Sequence, residues 1–382
     1  MYVMDTGELS RGIKEKALEV GFDLVGICPA TEHPESRFLS EWLDNGFAGE
    51  MRYMEREPAR RASPTALARG ARSVISCGVN YNTEHEYSTQ AANPARGWIS
   101  RYAWGDDYHE IITDRLGRLA RHIGDLVPRD FDFYIAVDTA PVLDRVYAKY
   151  SGLGWFGKNT CIINQGIGSW ILIGEIITNL ELRYDAPPPD RCGTCTRCID
   201  ACPTNALLEP YVLDSRRCIS YLTIELKGSI PKEIRERVGD NVFGCDICQD
   251  VCPWNRKAGV TDEASFRPRE GLFNPQLSSL ARLTPEEFRK RFKGSPIKRA
   301  KRRGLLRNIM VAIGNSGDSE SAGVISDALR DDEPLVRAHA AWALWKLIGA
   351  SAYETLSRHL ESEEDPVVVD EILEILNAGA GS

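Results

Sequence analysis

Apolar positions recur at i, i+3 and i+4 spacing over residues 7–20 and 107–126, which predicts an amphipathic helix in each. Residues 35–57 carry a similar pattern up to Pro58, where a proline would end a helix. Short runs rich in β-branched residues at 23–28, 72–79 and 131–137 predict strands, with a helix at 144–150 after the third. Two more apolar runs, 160–164 and 170–178, flank Gln165-Gly166-Ile167-Gly168-Ser169, and this glycine-containing connector predicts that they pair as a hairpin. Residues 1–183 thus read as an α+β unit. Three prolines within 184–190 predict a stiff linker out of it.

The pattern changes in the last quarter. Segments 305–313, 322–329, 335–348, 353–360 and 367–376 are apolar at helical spacing, without intervening strand signals. Acidic residues precede Pro334 and again Pro366, each before an apolar run. Proline fits the first position of a helix and an acid there meets the positive end of the helix dipole. The recurrence predicts a short array of HEAT-like helical repeats over residues 281–382, an architecture more often used for binding than for catalysis.

Between these halves, residues 184–280 hold the chemistry that is easiest to read. The run Cys192-x2-Cys195-x2-Cys198-x3-Cys202-Pro203 is followed by Cys218, Cys245, Cys248 and Cys252-Pro253. Thiolates suit iron–sulfur clusters, and this run has the bacterial ferredoxin spacing in which the fourth cysteine ligates the other cluster. The crossing predicts one 4Fe–4S cluster on Cys192, Cys195, Cys198 and Cys252, and a second on Cys202, Cys218, Cys245 and Cys248. Two four-cysteine zinc sites are the main alternative. Disulfides would need an oxidising compartment, and the N-terminus shows no secretory signal pattern. Cys28, Cys77 and Cys161 fall in apolar surroundings and read as buried structural thiols. Residues 213–244 form an unexplained insertion that returns Cys218 to its cluster mates; a place against a cofactor is one reading of it.

Charge adds a partner. The net charge of −8 argues against general nucleic-acid affinity, yet residues 288–317 contain no Asp or Glu while 289–307 hold ten Lys and Arg. Within that stretch Lys298, Arg299, Lys301, Arg302, Arg303 and Arg307 are candidate phosphate contacts, against the ordinary alternative of a solvated helix face. No apolar run is long enough to cross a bilayer, and a cytoplasmic location without membrane attachment is expected. Residues 152–158 (GLGWFGK) match a dinucleotide fingerprint and nearly match a P-loop. A helix is predicted before the segment and a strand after it, the reverse of what phosphate binding needs. A turn in which backbone approaches some other ligand is the better expectation.

Candidate acids and donors in the first half are Asp138, Tyr108, His109, Arg61, Arg101, Lys158 and Asn159. Taken singly, Asp138 could merely cap a helix and the others could be packing or surface residues. Several segments together resemble the bacterial epoxyqueuosine reductases: 53–61 (YMEREPARR), 70–75 (GARSVI), 102–109 (YAWGDDYH), 137–145 (VDTAPVLDR), 152–160 (GLGWFGKNT) and 299–308 (RAKRRGLLRN), along with the double cluster motif. The resemblance runs through nearly the whole chain in order. It implies reduction of the epoxide on a modified tRNA wobble base, the last step of queuosine synthesis. It also implies a cobalamin domain related to the nitroreductase fold and to reductive dehalogenases, followed by a two-cluster ferredoxin-like domain.

No Asp-x-His-x-x-Gly occurs in the chain, so the resemblance implies base-off cobalamin held without the usual lower histidine. The clusters would pass it electrons from an external donor. Asp138 falls on the family's proton donor, with a pKa expected to be raised by burial. Arg61, Arg101, Tyr108, His109, Asp138, Lys158 and Asn159 become expected cofactor contacts, and the basic stretch an expected tRNA contact. The rivals are a corrinoid dehalogenase acting on a small molecule, a ferredoxin fused to a docking array, and a zinc-based tRNA-binding module.

Overall fold

The strands of the N-terminal half assemble into one antiparallel sheet. In this computed structural model, which describes residues 5–56, 58–91, 93–127 and 131–379, its strands are β1 (Leu24–Pro29), β2 (Ser73–Asn80), β3 (Phe133–Val137) and β4 (Ile171–Thr178). Their order is β1-β2-β4-β3. Alternation along β2 sends Ile75, Cys77 and Val79 into one core with helices α1 (Thr6–Glu19) and α2 (Tyr108–Leu126), and Val74 into another with Tyr147 of helix α3 (Asp144–Tyr150). Both faces are covered, and all eight β2 residues are buried.

Glycine at one position sets the site. A Cβ on Gly174 of β4 would stand 2.4 Å from Ile112 Cγ2 of α2. Its absence lets α2 lie close on β3 and β4, which brings the first turn of α2 beside the end of β3.

Several expectations need correction. The helix expected over 35–57 spans only Ser36–Asp44; Gly46 and Gly49 adopt positive φ and turn the chain, a short helix Pro58–Ala62 follows, and residue 57 lies outside the described residues. The expected hairpin does not form either. Ile162–Ile163 pairs with Trp155–Phe156, while Ile171–Thr178 sits at the centre of the main sheet. The connector closes on itself through an Asn164–Gly168 bridge instead. The glycines of 152–157 allow close packing of the chain on itself: a Cβ on Gly154 would be 2.3 Å from Ile163 O.

The C-terminal helices are α4 (Lys301–Ser316), α5 (Ala322–Ala328), α6 (Pro334–Ile348), α7 (Tyr353–Leu360) and α8 (Pro366–Gly379), with Pro334 and Pro366 each at a first helical position. α4 packs on α6, and α6 on α8. Their core continues into Trp98, Ile99 and Trp104, and Trp98–Ile99 pairs in parallel with Asn241–Phe243. The three sequence segments therefore interlock. The insertion 213–244 mates the cluster region to the helical array. Arg235 pairs with buried Glu371 at 2.8 Å, Lys232 pairs with Glu374, and Ile230 N–H donates to His339 Nε2 at 3.2 Å. Among the described residues no helix is long and apolar enough to cross a membrane.

Candidate active site

Asp138 is the first residue after β3 and adopts φ 44°. Non-glycine residues reach that region only where surrounding structure imposes it, and such positions cluster at functional sites. It does not cap α3, whose N-cap is Leu143. Its Oδ2 lies 3.0 Å from His109 Nε2, and Tyr108 also hydrogen-bonds to it. Burial is the largest influence on the Asp138 carboxyl, although 55% of its side chain is reached by solvent. The carboxyl is thus set back among its neighbours in a chamber that stays open to solvent. The expected upward pKa shift is reversed: burial raises it, but the hydrogen bond and charge of His109, with Tyr108 and Arg145, outweigh burial and the net direction is down. His109 moves the opposite way, to about 9. Burial opposes the shift, while Asp107 and Asp138 drive it.

The other expected cofactor contacts divide. Arg61 is buried beside the chamber; one Nη donates to Tyr53 O at 2.9 Å, while its Nε has no partner and remains available to a ligand. Arg101 has a different task. Only 1% exposed, it donates to Thr83, His85 and Glu86 and packs against the Tyr87, Trp104 and Trp170 rings, so its guanidinium pins a loop. Lys158 Nζ binds Gly193 O at 2.7 Å and Cys195 O at 3.0 Å. Asn159 Nδ2 binds Cys248 O at 3.3 Å. These two side chains hold the cysteine loops in place. Two further residues stand at the site without having been expected there: Arg145, whose exposed side chain donates one Nη to Thr160 O at 3.1 Å, and Asp107, the N-cap of α2. Arg145 was within reach, as it closes the VDTAPVLDR motif. Asp107 could have been found as an acid directly before a helix.

The cysteines fall into two groups. Burial and then Cys252, with a weaker effect of Cys192, raise Cys198 to about 11; burial, then Cys192, Cys161 and Cys195, raise Cys252. Separately, burial followed by Cys218 and Cys202 raises Cys245, and burial with Cys202 raises Cys218. Cys248 feels Cys245 and Cys218, after burial and the hydrogen bond of Cys161. Helices Arg197–Asp200 and Ile247–Asp250 pack together and bring the two loops into register. Ala206 N–H donates to Cys202 Sγ at 3.3 Å. Among the described residues no three of these thiols stand as a preformed metal cage, but soft thiols gathered on two paired loops are the donor chemistry that iron–sulfur clusters take. All eleven cysteines are free. Cys28 and Cys77 are buried as expected, but Cys161 is not a plain core thiol, since it lies partly exposed against Cys248 and Gln249.

The basic stretch reaches the same chamber. Lys298 Nζ is 2.9 Å from Asp107 Oδ2, and Arg299, paired with Glu225 at 2.9 Å and stacked over Tyr53, senses the charge of Asp138. Lys301 is exposed and Arg303 half-buried. Arg302 and Arg307 depart from the expectation. Arg302 is tied to Asp331 at 3.0 Å and to Leu283 O. Arg307 is 0% exposed and donates to Leu222, Leu226 and Gly228 carbonyls, so its donors are consumed inside the fold.

Cysteine-rich loops, an acid-bearing chamber, a basic edge and a helical-repeat tail together define the class of an iron–sulfur oxidoreductase. Family models match in three places: a 4Fe-4S double cluster binding domain over residues 191–255, "Epoxyqueuosine reductase QueG, DUF1730" over 61–139, and HEAT repeats over 300–377. The epoxyqueuosine reductase of Shewanella oneidensis is 44% identical over 355 residues, covering 90% of each chain. That of Escherichia coli K12 is 40% identical over 345 residues, covering 89% of this chain and 90% of the relative. The chain belongs to the epoxyqueuosine reductase family. A crystal structure of epoxyqueuosine reductase with an epoxyqueuosine-modified tRNA-Tyr stem loop superposes with TM-score 0.91 at 29% identity, covering 98% of this chain and 100% of that one. The Bacillus subtilis enzyme, with an aspartate-bearing catalytic loop swung out of its active site, superposes with TM-score 0.90 at 28% identity over 98% of this chain and 99% of that one.

Proposed function

We propose that this chain reduces epoxyqueuosine to queuosine at the wobble position of tRNA, with a cobalamin in the chamber beneath Asp138 and two 4Fe–4S clusters beside it. The observation that carries this reading is the meeting of the basic edge and the acid: Lys298 and Arg299 touch or sense the groups around Asp138. A polyanion held by that edge would present a base to the chamber. A small-molecule dehalogenase would have no use for it.

Removing an epoxide oxygen as water takes two electrons and two protons. Bound cobalamin would supply the low-potential metal chemistry that carries those electrons to carbon. Arg61 and Arg145 are suited to its phosphate and amide groups, and Tyr108 and Asp138 to its upper side. Cys192, Cys195, Cys198 and Cys252 would hold the first cluster, and Cys202, Cys218, Cys245 and Cys248 the second, fed by an external donor. Lys158 and Asn159 keep both cysteine loops against the hairpin that follows α3. Asp138 delivers a proton to the departing oxygen. Lys298, Arg299, Lys301 and Arg303 bind phosphate. A tRNA substrate and oxygen-sensitive clusters support a cytoplasmic location for the reaction.

The reconstituted protein, given a reductant and an epoxyqueuosine-bearing stem loop under anaerobic conditions, should yield a base lighter by one oxygen atom. An unchanged base, with an organohalide reduced instead, would overturn the reading. Reversing the charge of Lys298, Lys301 and Arg303 together should weaken stem-loop binding and reduce the slope of log K against log salt by about 0.7 per lost contact. An unaltered slope would remove this edge as the RNA contact.

A further inference from the structure

His109 lies between two carboxyl groups. Its Nδ1 is 2.8 Å from Asp107 Oδ1 and its Nε2 is 3.0 Å from Asp138 Oδ2. Ionised carboxylates only accept hydrogen bonds, and a neutral imidazole has one N–H to give. The set is satisfied only with one further proton, on Nε2 or on Asp138. Asp107 does not take it, because its carboxyl already accepts from the His109 backbone N–H at 3.2 Å and from Lys298 Nζ at 2.9 Å. These contacts, the His109 side chain foremost, hold Asp107 well below the ordinary carboxylate range. The extra proton therefore resides in the Nε2···Oδ2 contact.

The remaining groups around the contact shape its charge. Tyr108 stacks on the imidazole at 4.1 Å and hydrogen-bonds to Asp138. Arg145 from α3 acts on Asp138, Tyr102 lies within the field of both acids, and Arg299 and Tyr53 sense Asp138 from the far side. Glu110, in the same first turn of α2, acts on Lys298. Lys298 is 54% exposed and sits in the stretch assigned to RNA phosphate.

We propose that Asp107 and His109 are positioning residues that hold the transferable proton for Asp138, and that Lys298 couples this hold to RNA binding. The proposal rests on the reading of Asp138 as the group facing the reacting oxygen. As the two electrons supplied through the clusters break the two carbon–oxygen bonds and the carbon–carbon double bond forms, the Nε2 proton crosses to Asp138 and Asp138 hands it to the oxygen. His109 reloads from solvent, and the second proton completes water. When phosphate draws Lys298 away, Asp107 loses its counter-charge and grips the imidazolium more strongly, so the proton is secured as substrate docks.

The test is a pH titration of the full cluster-loaded chain by NMR with 15N-labelled histidine, with His109 assigned by loss of its signal in His109→Gln. The imidazolium should persist to about 9. Asp107→Asn keeps a residue type competent to cap α2 and should lower the titration by about one to three units. Lys298→Met should raise it. Unmodified stem loop should raise it in the natural chain and add nothing in Lys298→Met. The high-pH limb of kcat should move with Asp107→Asn, and KM for the stem loop should fall, because Lys298 no longer leaves a carboxylate to meet phosphate. A His109 that titrates at the ordinary imidazole value, or a titration untouched by Asp107→Asn, would overturn the relay. The expected titration shifts in a protein that cannot reduce epoxyqueuosine would uphold the relay and count against the reaction alone.

Discussion

Asp138→Asn should lower kcat on the epoxyqueuosine stem loop by roughly 100- to 10,000-fold, the range typical of losing a positioned proton donor. Cluster content, corrin binding and stem-loop affinity should stay close to those of the natural chain. The expectation follows from three features. Asp138 occupies a left-handed backbone position just past the end of β3, caps no helix, and has Oδ2 on the imidazole of His109. An amide keeps the shape and could still accept from Nε2, but it cannot pass a proton on. Stopped-flow turnover with the clusters fully reduced reads the step directly. Turnover within a few-fold of the natural chain would mean that the proton comes from elsewhere, with Tyr108 the next group in reach.

The second large effect concerns the crossed cysteines. Cys252→Ser should destroy the cluster shared with Cys192, Cys195 and Cys198, reduce iron from about eight to about four atoms per chain, and abolish turnover. Cys252 is apart in sequence from the first three thiols yet sits among them electrostatically. The second quartet, gathered around Cys245 and Cys248, should survive. Cys161→Ser makes the contrast. Cys161 lies against Cys248 without belonging to either run, so its loss should leave both clusters in place. Iron analysis with low-temperature EPR of the reduced proteins distinguishes the cases. Loss of both clusters in Cys252→Ser, or loss of one in Cys161→Ser, would redraw the ligand sets.

These residues were legible in sequence to different degrees, for physical reasons. Cluster cysteines announce themselves because metal geometry fixes short spacings within each loop. Pro334 and Pro366 did so because helix starts tolerate proline where helix interiors do not. Arg101, Lys158, Asn159 and Arg307 could not be sorted from composition. A buried cation that pins carbonyls and one that binds a ligand are the same residue type, and only their partners differ. For Arg307 those partners are carbonyls of Leu222, Leu226 and Gly228, about eighty residues earlier in the chain. Strand pairing was lost in the same way, since apolar runs at 160–164 and 170–178 do not state which neighbour completes their hydrogen bonds. The fall in the Asp138 pKa was out of reach without knowing that His109, one turn into a helix distant in sequence, would land on it.

The central claim is that one chamber joins the clusters, a corrin and the acid that faces the RNA. Titrating cob(II)alamin into the anaerobic, cluster-loaded chain and recording EPR tests it most directly. The account predicts saturable one-to-one binding with a base-off spectrum lacking splitting from a lower nitrogen, and weakened binding in Arg145→Ala. A base-on spectrum, or no binding by a chain that carries both clusters, would contradict it.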